Sequence, residues 1–261
     1  MEPIYTPANT TAAYQLNWSL ALFWRVAVVN DSAWLDPLSR ATEHDGVRIL
    51  KHEQTDARTS LFLLSTKPPV SPVHILRSVK GRLQHLVRDA MPRALQRNYS
   101  LQSVGSAKRD VVEKYVSSQL GHHRMADGRV QARLAAHQAR DSRANLSTPR
   151  RSAHGQYWFN LHVVLVNEGR WMEIRDDVLA LLDRAIERTA EKHGHALSRR
   201  GVLPDHIHLA MGCPEGQSPE EVALSYMNNC AHAFGDEAGA AAQLLRRHVR
   251  RVRLGGRIVA G

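Results

Sequence analysis

The chain has 261 residues, and 35 Lys and Arg against 25 Asp and Glu leave it a net charge of +10. That excess favours a polyanionic partner, nucleic acid first, while a hydrophobic content of 43% can fill one large core or two of ordinary size. Two cysteines, Cys213 and Cys230, exclude a disulfide framework and indicate a reducing cytosol; no secretory leader is expected, and the longest apolar run, 20–29, is interrupted by Arg25 and too short to span a bilayer.

The first predicted element is a buried strand, where Tyr14 to Asn17 lead into the apolar run from Trp18 to Trp24. A second β-like run from Ser60 to Val70 ends in a proline turn. Ser71-Pro72 then opens a helix carrying Ile75, Leu76, Val79 and Leu83. Cations follow at high density: Lys80, Arg82, Arg88, Arg93, Arg97, Lys108 and Arg109. Such a cluster suits phosphate contact, and Tyr99 is the aromatic among them able to stack on a base. Next, Val111, Val112, Tyr115, Val116 and Gln119 fall at helical spacing, which stacks Tyr115 and Gln119 one turn apart on one face.

From 131 to 156 the pattern reads as a frayed helix around Leu134 and then a basic linker. Tyr157 to Asn160 lead into a second buried strand, Leu161 to Val166. Ile174, Val178, Leu181, Leu182 and Ile186 mark a long amphipathic helix that stops at Gly194. The segment Pro204-Asp205-His206-Ile207-His208-Leu209 is a turn entering a strand, and Ser218-Pro219 opens a helix carrying Val222, Leu224 and Met227. The tail holds the basic run Arg246 to Arg253, which reads either as a helix on DNA or, over 245–255, as a frameshifted end.

Self-comparison divides the chain into two similar halves, 1–130 and 157–261, joined by 131–156. Each reads as an α+β sandwich, an antiparallel sheet covered by helices. Setting Ser71 on Ser218 without gaps puts Thr59 opposite His206, Leu61 opposite His208 and Val79 opposite Tyr226. The first half therefore has the strand but not its histidines.

Alternation along a strand sends His206 and His208 to one face, a half-site for a divalent metal. A pair of solvated histidines gives the same pattern. An unrelated His-x-His metallohydrolase would want a further ligand close by, and position 210 is Ala.

Taken together, the Pro-rich turn, Ser71-Pro72, the segment Leu76 to Arg82, Asn98-Tyr99-Ser100, the Tyr-x-x-x-Gln of Tyr115 and Gln119, and the Pro-Asp-His-x-His of the second half resemble a known family. It is that of the insertion-sequence-200-like single-tyrosine HUH transposases, including their REP-associated relatives. The resemblance covers most of 10–130 and 155–235. It implies two ferredoxin-like or RRM-like sandwiches and a metal-dependent enzyme that cuts and rejoins single-stranded DNA at hairpin-bearing ends through a 5′-phosphotyrosine. By the same resemblance Tyr115 is the nucleophile, and His206, His208 and Gln119 hold Mg²⁺ or Mn²⁺. Lys80, Arg82, Arg88, Arg97, Lys108 and Arg109 are expected to touch DNA. The histidines and the tyrosine helix lie in different halves, so the expectation is a fused pseudo-dimer with one composite site. Tyr226 is the rival nucleophile, expected to be structural. A cytoplasmic, nucleoid-associated protein follows, or alternatively an inactive, domesticated derivative that only binds DNA.

Overall fold

The computed structural model describes residues 2–10, 16–28, 33–105, 107–122, 125, 127–167, 170, 172–237 and 259–260. Tyr14 and the basic tail 246–253 lie outside the described residues. In the first half, β1 (Leu16–Trp24) buries every second side chain: Leu16, Trp18, Leu20, Leu22 and Trp24. Burying indoles requires partners for their N–H groups. Trp18 Nε1 donates to Thr66 Oγ1 at 2.9 Å and Trp24 Nε1 to Ser60 Oγ at 2.8 Å.

The chain continues through α1 (Leu35–His44), β2 (Val47–Asp56) and β3 (Thr59–Thr66). A helical segment follows, in which α2 (Pro72–Leu76) passes through a π-turn (Arg77–Gly81) into α3 (Arg82–Val87). β4 (Leu95–Val104), β5 (Ala107–Lys108) and α4 (Arg109–His122) complete the half. Its core strands lie in the order β2-β3-β1-β4, antiparallel throughout.

Residues 131–156, expected as a frayed helix and a linker, are built into both sheets. After α5 (Gly128–Ala136), β6 (Gln138–Arg140) pairs with the second sheet, and β7 (Arg150–Arg151) and β8 (Gln156–Trp158) extend the first. β8 runs parallel to β4, so the first sheet is mixed. Val130, Leu134 and Leu146 are buried, which gives this stretch the apolar anchors its basic composition conceals.

The second half consists of β9 (Asn160–Val166), α6 (Asp176–His193), β10 (Ala196–Val202), β11 (His206–Gly212) and α7 (Pro219–Glu237). Its sheet order is β6-β10-β11-β9, all antiparallel. The short β12 (Val259–Ala260) pairs with β5. The architecture is α+β, and one continuous set of buried residues runs through both halves.

The two halves agree down to register. Thr59 pairs with Phe23 and Leu61 with Ala21; at the aligned positions His206 pairs with Val166 and His208 with Val164. A bulge separates Ile49 from Lys51 in β2, and its counterpart separates Leu197 from Arg199 in β10. Bulges re-aim a strand at a set place and behave as built features. The glycines after the first helices match too, with Gly46 at φ 78° and Gly194 at φ 67°, left-handed turns that cost a side chain. The later helices share a cap: Ser71 Oγ accepts from His74 N at 3.3 Å, and Ser218 Oγ from Glu221 N at 3.2 Å.

The halves meet reciprocally. Val73 N donates to Glu215 O at 3.1 Å, and Glu220 N donates to Pro68 O, also at 3.1 Å. In the ungapped alignment Val73 matches Glu220 and Pro68 matches Glu215, so each bond has its counterpart in the other half. At the seam of β4 and β8, a Cβ on Gly155 would lie 2.6 Å from two ring carbons of Tyr99. Gly155→Ala is therefore expected to lose about 1–3 kcal/mol of stability in chemical denaturation. Gly216→Ala, with nothing within 4 Å of its added carbon, should stay within about 0.5 kcal/mol.

Candidate functional site

β11 is buried on both faces. The turn that feeds it is gripped by the loop after β9: Asn167 Nδ2 donates to Pro204 O at 3.0 Å, Asn167 N to Asp205 O at 2.9 Å and Glu173 N to Pro204 O at 2.8 Å. Asp205 is held by Arg170, with Nη2 to Oδ2 at 2.7 Å. Its other oxygen meets His206 Nδ1 at 2.5 Å. His206 and His208 stand with ring centroids 4.8 Å apart and planes at 83°.

A third imidazole belongs to the group, one the sequence argument did not single out. His162, on the neighbouring strand β9, places Nε2 3.0 Å from His208 Nδ1, and the two rings stack at 5.2 Å. The strand register was the signal that would have found it. His162 pairs with Ala210, two residues beyond His208 on the same face.

Across this face lies α4, contributed by the first half. Its inward side chains, Val112, Val116 and Gln119, are buried, and Glu113 reaches Arg199 of β10 at 3.6 Å with both side chains largely shielded from water. Strand and helix approach closely at Gly201, where an added Cβ would lie 3.8 Å from Val116 O. Gly201 is the register partner of His208, and its missing side chain first makes room for Gln138 Oε1, which an added Cβ would meet at 2.6 Å. Tyr115 thus presents its ring edge-on to His208 at 5.5 Å and to His162 at 6.1 Å. It stays 44% exposed, open to a ligand from solvent.

Gln119 lies one turn beyond Tyr115, and its amide Nε2 donates to Tyr115 O at 3.2 Å, so the carboxamide is oriented by its own helix. The donor set is consistent with a divalent ion. Each strand histidine has Nδ1 held by a neighbour, Asp205 or His162, the outer-shell arrangement that fixes tautomer and ring orientation in metal-bound imidazoles. Imidazole ligation by itself would suit Mn²⁺, Zn²⁺ or Ni²⁺ better than Mg²⁺. Among the described residues no three His, Cys, Asp or Glu side chains are grouped to hold an ion. A metal here would therefore take its remaining ligands from water or substrate.

The other expected residues part ways. Tyr226 is fully buried, with its hydroxyl 2.9 Å from His195 Nδ1 and its phenol pushed up by burial. Tyr99 is buried as well, its hydroxyl bonded to Ser152 and Glu215 and its ionisation raised to about 12 by desolvation, so it is no base-stacking platform. Lys80 spends its ammonium on Arg97 O at 2.5 Å and Asn98 O at 3.4 Å. Arg82 forms a two-pronged pair with Asp45, both bonds 2.7 Å. Arg82 nonetheless stays exposed, and Lys80 is only partly buried. Arg88 is exposed beside Asp89, Arg97 is exposed on β4, and Lys108 and Arg109 begin the turn that leads to Tyr115.

Comparison with protein-family models and with curated proteins returned no match. No helix among the described residues is long and apolar enough to cross a membrane.

The Asp45 to Arg82 pair has a measurable signature. The Arg82 hydrogen bond, foremost, holds the Asp45 carboxyl at about 2, below its usual 3.8. A depressed carboxylate stabilises the fold above its unfolded pKa and loses that contribution as pH falls through the folded one. The stability advantage of the wild type over Asp45→Asn should be constant above about pH 5 and shrink toward pH 2 in urea unfolding. A difference that stays flat to pH 2 would assign the pair no role in folding.

Proposed function

We propose that this chain is a single-stranded DNA strand transferase of the single-tyrosine HUH transposase type, a fused pseudo-dimer of two ferredoxin-like halves with one composite site. The observation that carries the reading is the 5.5 Å approach of Tyr115, from the first half, to His208, from the second. The matching registers, bulges and reciprocal contact support the pseudo-dimer. In each half the described order of strands and helices is compatible with a ferredoxin-like sandwich.

In this reading the Tyr115 hydroxyl attacks the phosphorus of a phosphodiester. The bond to the 3′ oxygen breaks, a 3′-hydroxyl leaves, and the 5′ side remains as a phosphotyrosine whose linkage keeps the bond energy for rejoining. A second 3′-hydroxyl reverses the step. His206, His208 and Gln119 would hold Mg²⁺ or Mn²⁺, which when bound neutralises charge on the scissile phosphate. Asp205 and His162 keep the two imidazoles in one tautomer and one orientation. Glu113 and Arg199 fix α4, and with it the tyrosine, relative to the strand. The partner site in the first half is dead, since Thr59 and Leu61 offer no ligand. Lys108 and Arg109 at the junction of β5 and α4, with Lys80, Arg82 and the exposed Arg88 and Arg97, are the cations for DNA, and the protein works at the nucleoid on hairpin-bearing ends.

A second reading, a DNA-binding derivative that no longer cuts, is favoured by the lack of a three-ligand cluster among the described residues. One assay separates the two. With Mn²⁺ and a hairpin-flanked single-stranded oligonucleotide, the wild type should form a covalent adduct resistant to denaturant. Tyr115→Phe should form none, and His208→Ala should slow adduct formation by about 100-fold or more. An adduct that survives Tyr115→Phe sinks the assignment of the nucleophile, and a wild type that binds DNA without forming an adduct selects the second reading.

A further inference from the structure

The two sheets match in register but not in cover. In the second, the face bearing the histidines lies under α4, and β11 is buried along its whole length. In the first, the equivalent face is half-open. Asn17, Ser19, Ala21 and Phe23 of β1 alternate with buried neighbours, as do Thr59, Leu61 and Leu63 of β3. Strand β8 widens this face. Gln156 pairs with Ser100 and Ser100 with Ala21, while Trp158 pairs with Gln102 and Gln102 with Ser19. Residues in one such row project from the same side of a sheet. Two partly exposed rings, Phe23 and Trp158, therefore stand on a floor of small and amide side chains.

One end of this face opens into two cavities of about 630 and 450 Å³ that share Asn98. Arg25, Arg97 and His154 line the first and Arg151 the second, and neither lining includes an Asp or Glu. A cationic rim, aromatic faces and amides together match one class of ligand. Phosphates pair with the arginines, unpaired bases stack on the rings, and carboxamides read base edges. A duplex hides its base faces, and an acidic peptide makes no use of the rings.

We propose that the open sheet face of the first half, continued by β7 and β8, is a platform for single-stranded DNA, separate from the Tyr115 and His208 centre. The ligand identity rests on the function proposed above; the platform does not depend on the cleavage step. The half that lacks the histidines thus keeps a substrate-holding role.

The test is fluorescence anisotropy of the full chain with a labelled, hairpin-free single strand, with no metal added. Arg97→Glu combined with Arg151→Glu should weaken binding at least tenfold and flatten the salt dependence by about 0.7 per lost phosphate contact. Phe23→Ala should cost about five- to tenfold, while Trp158→Phe, which keeps a stacking ring, should bind as the wild type does. Arg184→Glu combined with Arg188→Glu, the same charge change on exposed positions of α6, should have a much smaller effect than the platform pair. Equal losses for the two double variants would overturn the platform, as would unchanged affinity in Phe23→Ala or equal competition by duplex DNA or an acidic peptide. A wild type that binds the strand yet forms no tyrosine adduct would count against the cleavage step alone.

Discussion

Two main-chain hydrogen bonds join the halves directly, alongside the core they share. Val73 to Glu215 and Glu220 to Pro68, each 3.1 Å long, lock the proline turns of the two halves against one another. They use backbone atoms, so they constrain side-chain identity little and position strongly. Beyond these bonds, α4 packs on the strands of the second sheet, and β8 adds to the edge of β4. Tyr115 and His208 meet across the halves, and neither half alone supplies both.

The pairing is symmetric in backbone and asymmetric in chemistry. At equivalent positions one sheet carries His206 and His208 and the other Thr59 and Leu61. The imidazoles are costly in a buried strand unless their nitrogens have partners, and the second half provides Asp205 and His162 for the purpose. Asp205 in turn leans on Arg170. The first half, relieved of these polar demands, fills the same rows with Leu61, Ala21 and Ser19. The two sheets keep the same register and bulge despite this difference in side chains.

Much of this was legible in the residues. The shared Ser-Pro openings aligned the later strands, the Asn17 and Asn160 openings aligned the first strands, and the pairings of Thr59 with Phe23 and His206 with Val166 agree with both. The i, i+4 spacing placed Tyr115 and Gln119 on one helix, and the helix forms. What stayed hidden depends on partners distant in sequence. His162 sits in an apolar run that reads as plain core, and only the neighbouring strand gives it His208. The partners of Lys80 and Arg82, the carbonyls of Arg97 and Asn98 and the carboxylate of Asp45, are likewise remote in sequence. The segment 131–156 looked like a linker because β6, β7 and β8 are too short to show periodicity. Their pairing comes from sheet edges that other strands had already created.

The passage of α4 onto the second sheet also sets an order of events during synthesis. Val112 and Val116 leave the ribosome well before β10 and β11, the strands that cover them. Until those strands pair, the helix has little to hold it, and contacts between distant segments form late. Tyr115 thus remains apart from the imidazoles while the chain is incomplete. A truncated product ending before β11 would carry the phenol without its companions.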